Sequence, residues 1–256
     1  MKKNIILFLV IFITSKYCNA QFLGYVESDK TRTISFNYLD DYFRYNGSEE
    51  FGFLIERPIH FKEGIPSISY EDESIFAEIA YNNTTDSYTG EFTSTDITTK
   101  YFSIDFLYKS VIPLTMQRGS FFVGIPLIIR TMYYSNYQEY GYFDLSVPIY
   151  TEENIITRFD NGNIGFGSGI QLKQIFSWVN INLSYTGSVY YSTNGFSIDY
   201  GVSYRNEIKF SLDFNSFLYD YGIKVGSKFF DQVWSMKDKK QNYYHSGFGF
   251  FIGLNF

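Results

Sequence analysis

Hydrophobic and polar residues alternate with period two along most of the chain, and Val179 to Tyr191 shows the pattern most plainly. Its odd positions read Val179, Ile181, Leu183, Tyr185, Gly187, Val189 and Tyr191, while its even positions read Asn180, Asn182, Ser184, Thr186 and Ser188. Such alternation puts one greasy and one polar face on an extended strand. After "STNG" the parity inverts, with Phe196, Ile198, Tyr200, Val202 and Tyr204 on the apolar side and Ser197, Asp199, Gly201, Ser203 and Arg205 on the other. A four-residue connection containing Gly is typical of a hairpin.

The same reading gives apolar faces at Phe102–Tyr108, Phe121–Ile129, Phe143–Ile149, Ile164–Leu172, Ile208–Phe214 and Tyr221–Phe229. Weaker ones fall at Ile34–Tyr38, Phe51–Ile55 and Ile75–Tyr81. The chain closes on "SGFGFFIGLNF", with Phe248, Phe250, Ile252, Leu254 and Phe256 at alternate positions. The total is about twelve strands, within a range of about ten to fourteen. No amphipathic helix or domain linker interrupts the series, and residues 82–96, 151–163 and 235–244 read as loops by their polar composition.

Composition fits alternating strands. Aromatic residues reach 21% (25 Tyr, 28 Phe) while the charged fraction is 19%, and nowhere after the N-terminus are there the roughly 18 apolar residues of a spanning helix. At the N-terminus, Lys2 and Lys3, the apolar run Ile5–Ile13 and the small residues Cys18 and Ala20 read as a signal peptide cleaved before Gln21. The expected division is residues 1–20 as signal and 21–256 as one barrel domain. Removing Lys2, Lys3 and Lys16 takes the formal charge from -6 to -9 and removes Cys18, the one cysteine. An acidic chain without basic clusters excludes nucleic acid as an expected partner.

Many antiparallel strands with a greasy face form either a soluble sandwich or barrel with that face inward, or a membrane barrel with it outward. Glycines opposite the apolar side (Gly165, Gly167, Gly169, Gly201, Gly222, Gly226, Gly247, Gly249, Gly253) stand where a soluble exterior would carry Lys and Glu. Aromatics at predicted strand ends (Tyr133, Tyr134, Trp178, Tyr190, Tyr191, Trp234, Tyr243, Tyr244) suggest interfacial girdles. With its terminal Phe256 and Leu254 two residues earlier, the chain resembles the outer-membrane β-barrel proteins of Gram-negative bacteria. Their usual Gly five residues before the end is replaced here by Phe251, between Gly249 and Gly253.

The resemblance implies an all-β fold, a transmembrane antiparallel up-and-down β-barrel in the bacterial outer membrane. It implies Leu254 and Phe256 as an insertion signal, both termini in the periplasm, and outer-membrane lipid and the barrel-insertion machinery as partners. The functional reading is a narrow pore for a small polar solute or a structural role in the envelope. The alternatives are a membrane-embedded lipid-modifying enzyme and a secreted soluble β protein that binds apolar ligands.

Catalytic chemistry is sparse. The two histidines are His60 and His245, and His245 with Ser246 cannot form a pair, because adjacent strand residues point to opposite faces. The glycines of "GFGSG" (165–169) alternate within a strand instead of opening a helix, so they read as structural. No metal or cofactor site is expected. Strand parity instead turns charge into the lumen: Glu56, Glu78, Asp105, Asp144, Asp199 and Asp213 against Lys109, Arg130, Lys173, Lys209, Lys224 and Lys228. Two arrangements fit: an interior cross-linked by ion pairs, or a polar path between an acidic wall (Glu78, Asp105) and a basic one (Lys209, Lys224, Lys228). The inward glycines leave room for an occupant such as "QFLGYVESDK" (21–30).

Overall fold

The computed structural model describes residues 32–46, 59–60, 64–89, 93–114, 121–144, 153–176, 178–194, 200–218, 221–237 and 242–256. The signal peptide 1–20, the segment 21–30 and the apolar faces expected at 51–55, 145–149 and 196–198 lie outside them. The strands are β1 (Thr33–Asn46), β2 (Ile59–His60), β3 (Ile65–Glu71), β4 (Ile75–Thr89), β5 (Thr93–Pro113), β6 (Phe121–Asp144), β7 (Glu153–Ile175), β8 (Val179–Asn194), β9 (Tyr200–Leu218), β10 (Tyr221–Met236) and β11 (Asn242–Asn255). Each pairs antiparallel with its sequence neighbour, and β11 returns to β1, closing the wall. Because β2 and β3 line the same edge of β1, they fill one position, and among the described residues the barrel has ten strands.

Ten corrects the expected twelve for identifiable reasons. Asn206 breaks the outward run, so one strand, β9, reads in sequence as two segments, Phe196–Tyr204 and Ile208–Phe214. Phe143 belongs to the far end of β6. In the other direction β3, "IPSISYE", was not expected, since Pro66 and two serines dilute its alternation. The expected loops are largely strand as well: β4 and β5 pair as far as Thr89 and Ser94, β7 starts at Glu153, and Ser235–Met236 and Asn242–Tyr244 lie in β10 and β11. Polar composition there marks strand that is not apolar on either face.

The greasy face points outward. Phe36, Phe250 and Trp178 are 65%, 62% and 64% exposed, whereas Arg130, Gln232 and His245 on the inner face are buried. A soluble protein would reverse this, because burying apolar surface is what drives its folding. No helix among the described residues is long and apolar enough to cross a membrane.

The barrel is strongly sheared. From Phe76, paired residues lead through Glu71 to Thr33 in one direction. In the other they lead through Leu107, Arg130, Gly165, Tyr190, Ser203, Trp234 and Tyr243 to Tyr45. The two routes meet β1 at Thr33 and Tyr45, twelve residues apart. Such a stagger tilts strands by about 35–45° and sets an interior that side chains can fill.

Inward glycines serve that packing rather than leaving a vacancy. A Cβ on Gly165 would stand 2.1 Å from the Val189 carbonyl oxygen of β8, and one on Gly226 would stand 2.4 Å from the Phe251 ring. Gly165→Ala is therefore expected to lower the unfolding temperature of the detergent-solubilised barrel, read from the shift between folded and heat-denatured gel bands, because backbone on β8 would have to move.

Candidate functional site

The inner face builds three stacked layers across the lumen. Nearest the paired ends Thr33 and Asn255 lies an ionic layer. Lys209 on β9 and Lys224 on β10 both donate to Oε2 of Glu71 on β3, at 2.7 and 2.8 Å. Asp213 lies 3.9 Å from Lys224 and accepts from Asn182. Half-buried Lys173 extends this layer within electrostatic reach of Asp213, Lys224 and Lys109, and half-buried Lys109 lies within reach of Glu71 and Lys209.

The middle layer holds two knots. Lys228 Nζ donates to Glu78 Oε2 at 2.6 Å, and the other Glu78 oxygen accepts from Ser67 (2.6 Å) and Asn37 (3.0 Å). Beside it Arg130, 1% exposed, makes a forked contact to Asp105 and donates through Nη1 to Glu207 Oε2 at 2.9 Å. The same Glu207 oxygen accepts from Arg205 Nη2 at 2.9 Å. Each buried charge thus meets an opposite one, the condition under which charge survives burial.

The upper layer is aromatic. Arg205 joins it by lying over the Phe230 ring at 3.9 Å and donating to the Tyr134 hydroxyl at 2.9 Å. Tyr134 packs edge-on against Trp234 (5.9 Å) and His245 (5.5 Å), while Trp234 stacks on His245 at 6.0 Å. Trp234 Nε1 donates to Asn163 Oδ1 at 2.9 Å, which also accepts from Ser192 at 2.6 Å. Tyr101 reaches His245 from the far wall at 6.4 Å.

These contacts decide between the two lumen arrangements. Glu71 and Glu78 do face Lys209, Lys224 and Lys228, but the walls are tied together across the barrel, and Asp105 belongs to Arg130 on its own neighbouring strand. The space left between Asn37, Glu71, Phe76, Lys209 and Lys228 is a cavity of about 20 Å³, enough for a single water.

Of the other expected lumen charges, Glu56 and Asp199 lie outside the described residues, and Asp144 ends β6 with a side chain that is likewise outside them. Two central side chains, Glu71 and Glu207, were missed by sequence reasoning, and Arg205, placed on the polar face, was not counted among the lumen charges. The girdle also needs correcting. Tyr133, Trp178, Tyr191 and Tyr244 face outward, but Tyr134, Tyr190 and Trp234 are buried inside. Their even numbers, opposite in parity to the greasy positions of their strands, already carried that information. Leu254 faces outward between Ile34 and Ile223, and Phe256 exchanges backbone hydrogen bonds with Arg32. His245 points in and Ser246 out, as strand geometry requires. Among the described residues no cluster of three or more His, Cys, Asp or Glu is placed to hold a metal.

No protein-family model and no curated protein matches the sequence. Among solved structures the chain is similar to the outer membrane protease OmpT from Escherichia coli, with a TM-score of 0.51 and 9% identity over 92% of this chain and 99% of that one. It also aligns with the translocator domain of the autotransporter NalP from Neisseria meningitidis (TM-score 0.29, 9% identity, 94% of each chain). A third match is the P. putida toluene transporter TodX (TM-score 0.25, 8% identity, 89% and 90%). These neighbours are outer-membrane β-barrels of Gram-negative bacteria, and the OmpT likeness is one of fold: the closed antiparallel barrel.

Proposed function

We propose that this chain is an outer-membrane barrel with a sealed lumen and a structural role in the envelope, anchoring a tall sheet that rises beyond the lipid. The observation that carries this reading is the three-layer closure, above all the ion pairs from Glu71 and Glu78 to lysines on the opposite wall. A pore needs a continuous polar path, and a path here would have to break two charged layers and one aromatic layer.

Strand length supports the second half of the reading. A tilted strand crosses lipid in about 9–11 residues, whereas β5, β6 and β7 run for 21, 24 and 23. Their surplus lies at the end away from Thr33 and Asn255, where outward positions turn polar: Asn83 and Thr85 on β4, Thr98 and Lys100 on β5. On this reading the leader 1–20 is a cleaved signal peptide, the termini lie in the periplasm, Leu254 and Phe256 address the insertion machinery, and the greasy wall meets lipid. A secreted soluble protein would expose that wall to water. The protease activity belongs to OmpT and does not transfer at this identity; with His245 sealed inside and Ser246 outside, we place the chain outside the enzymes.

The test is conductance. Purified protein in a planar lipid bilayer should show no resolved current steps. Stable stepwise conductance of the unaltered chain would overturn the sealed-lumen reading and restore the narrow pore.

A further inference from the structure

Charge is shared unevenly between the layers of the lumen. In the middle layer Glu78 answers Lys228, and Asp105 and Glu207 answer Arg130 and Arg205, so three carboxylates cancel three cations. The ionic layer sets two carboxylates, Glu71 and Asp213, against four ammoniums, Lys109, Lys173, Lys209 and Lys224, a formal surplus of two positive charges.

Glu71 and Asp213 are engaged by Lys209 and Lys224. That leaves Lys109 on β5 and Lys173 on β7, and among the described residues neither has a hydrogen-bond or ion-pair partner for its ammonium. The two are within electrostatic reach of each other, and Lys224 and Lys209 add further positive charge beside them. Three carboxylates lie near. Glu71 is within reach of Lys109, and Asp213 and Glu73 are within reach of Lys173, with Glu73 exposed on the turn whose Ser74 carbonyl accepts from the Lys109 backbone N–H. Half-buried ammoniums that repel one another and lack a counter-charge give up hydration without gaining a partner. This layer is the one nearest the barrel end at Thr33 and Asn255, and it stays in touch with solvent, since Lys209 and Glu71 keep 19% and 21% of their side chains exposed.

We propose that Lys109 and Lys173 form a site for a phosphate dianion, either inorganic phosphate or the terminal group of a phosphomonoester, entering from that end of the barrel. Two negative charges in one compact group cancel the surplus of two. Its oxygens can accept from both ammoniums at once, each of which offers three donors. A chloride or a single carboxylate would cancel half of the surplus. The phosphodiester of a membrane lipid carries one charge and is held in the leaflet outside the wall, whereas both lysines face the lumen. Occupation needs no path through the barrel, so the site does not depend on whether the lumen conducts.

Isothermal titration calorimetry of the full barrel in neutral detergent tests this with inorganic phosphate as the probe, at mildly alkaline pH and at constant ionic strength set by sodium chloride. Phosphate and glycerol 3-phosphate should each saturate a single site, while dimethyl phosphate, with the single charge of a lipid diester, should bind at least about tenfold more weakly. The K109M/K173M variant should lose at least about tenfold in phosphate affinity, and K100M, which removes an exposed lysine on the outer face of β5, should leave it unchanged. In phosphate-free buffer K109M/K173M should unfold at a temperature no lower than the parent, because it removes two unanswered charges, so lost binding is separated from lost fold. No saturable binding, binding indifferent to K109M/K173M, equal affinity for dimethyl phosphate, or a variant less stable than the parent without phosphate would overturn the proposal.

Discussion

Arg130→Met should destabilise the folded barrel by about 3–5 kcal/mol, more than any substitution on the outward wall. The guanidinium stands between Asp105 and Glu207, and its loss leaves two carboxylates in the lumen with only Arg205 to answer them. The penalty comes from stranded charge rather than lost volume, so the double variant R130M/D105N, which leaves the Arg205–Glu207 pair in place, should recover most of the loss. Urea titration in detergent, with folded and unfolded forms resolved on a gel, measures both. A single variant no less stable than the parent, or a double variant worse than R130M, would contradict the account of the middle layer.

Trp234→Ala should cost about 3–5 kcal/mol as a buried large-to-small change. The indole is fully enclosed, packs against Tyr134 and His245 and donates to Asn163, so its removal empties the centre of the upper layer. Yet the variant should remain electrically silent, because the middle and ionic layers beneath it are intact. Current should appear only when all three layers are cut, as in W234A/R130A/K228A/E71A. Conductance from W234A alone would show that the aromatic layer is the one real seal.

Alternation made most of the wall legible. From Phe102 to Phe256 the outward residues, the inward glycines and the inward Asp105, Arg130, Lys209, Asp213, Lys224 and Lys228 all follow from counting by twos, since a strand has a single side-chain period and little freedom to violate it. Failures came where one residue broke the count. Asn206 split β9 and hid Glu207, which falls on the inner face beside Arg205 once the strand is continuous. Pro66, Ser67 and Ser69 hid β3 and with it Glu71. Tyr134, Tyr190 and Trp234 were assigned to a girdle by their proximity to strand ends, although their parity turned them inward.

The sequence by itself determined which face of each strand turns outward and which charges enter the lumen, because both are properties of a single strand. Only the tertiary structure decided who meets whom. Lys228 reaches Glu78 across the barrel because a stagger of twelve residues sets the depth at which β10 and β4 face each other. Register and shear are relations between strands, fixed when the sheet closes on itself, and no single segment contains them.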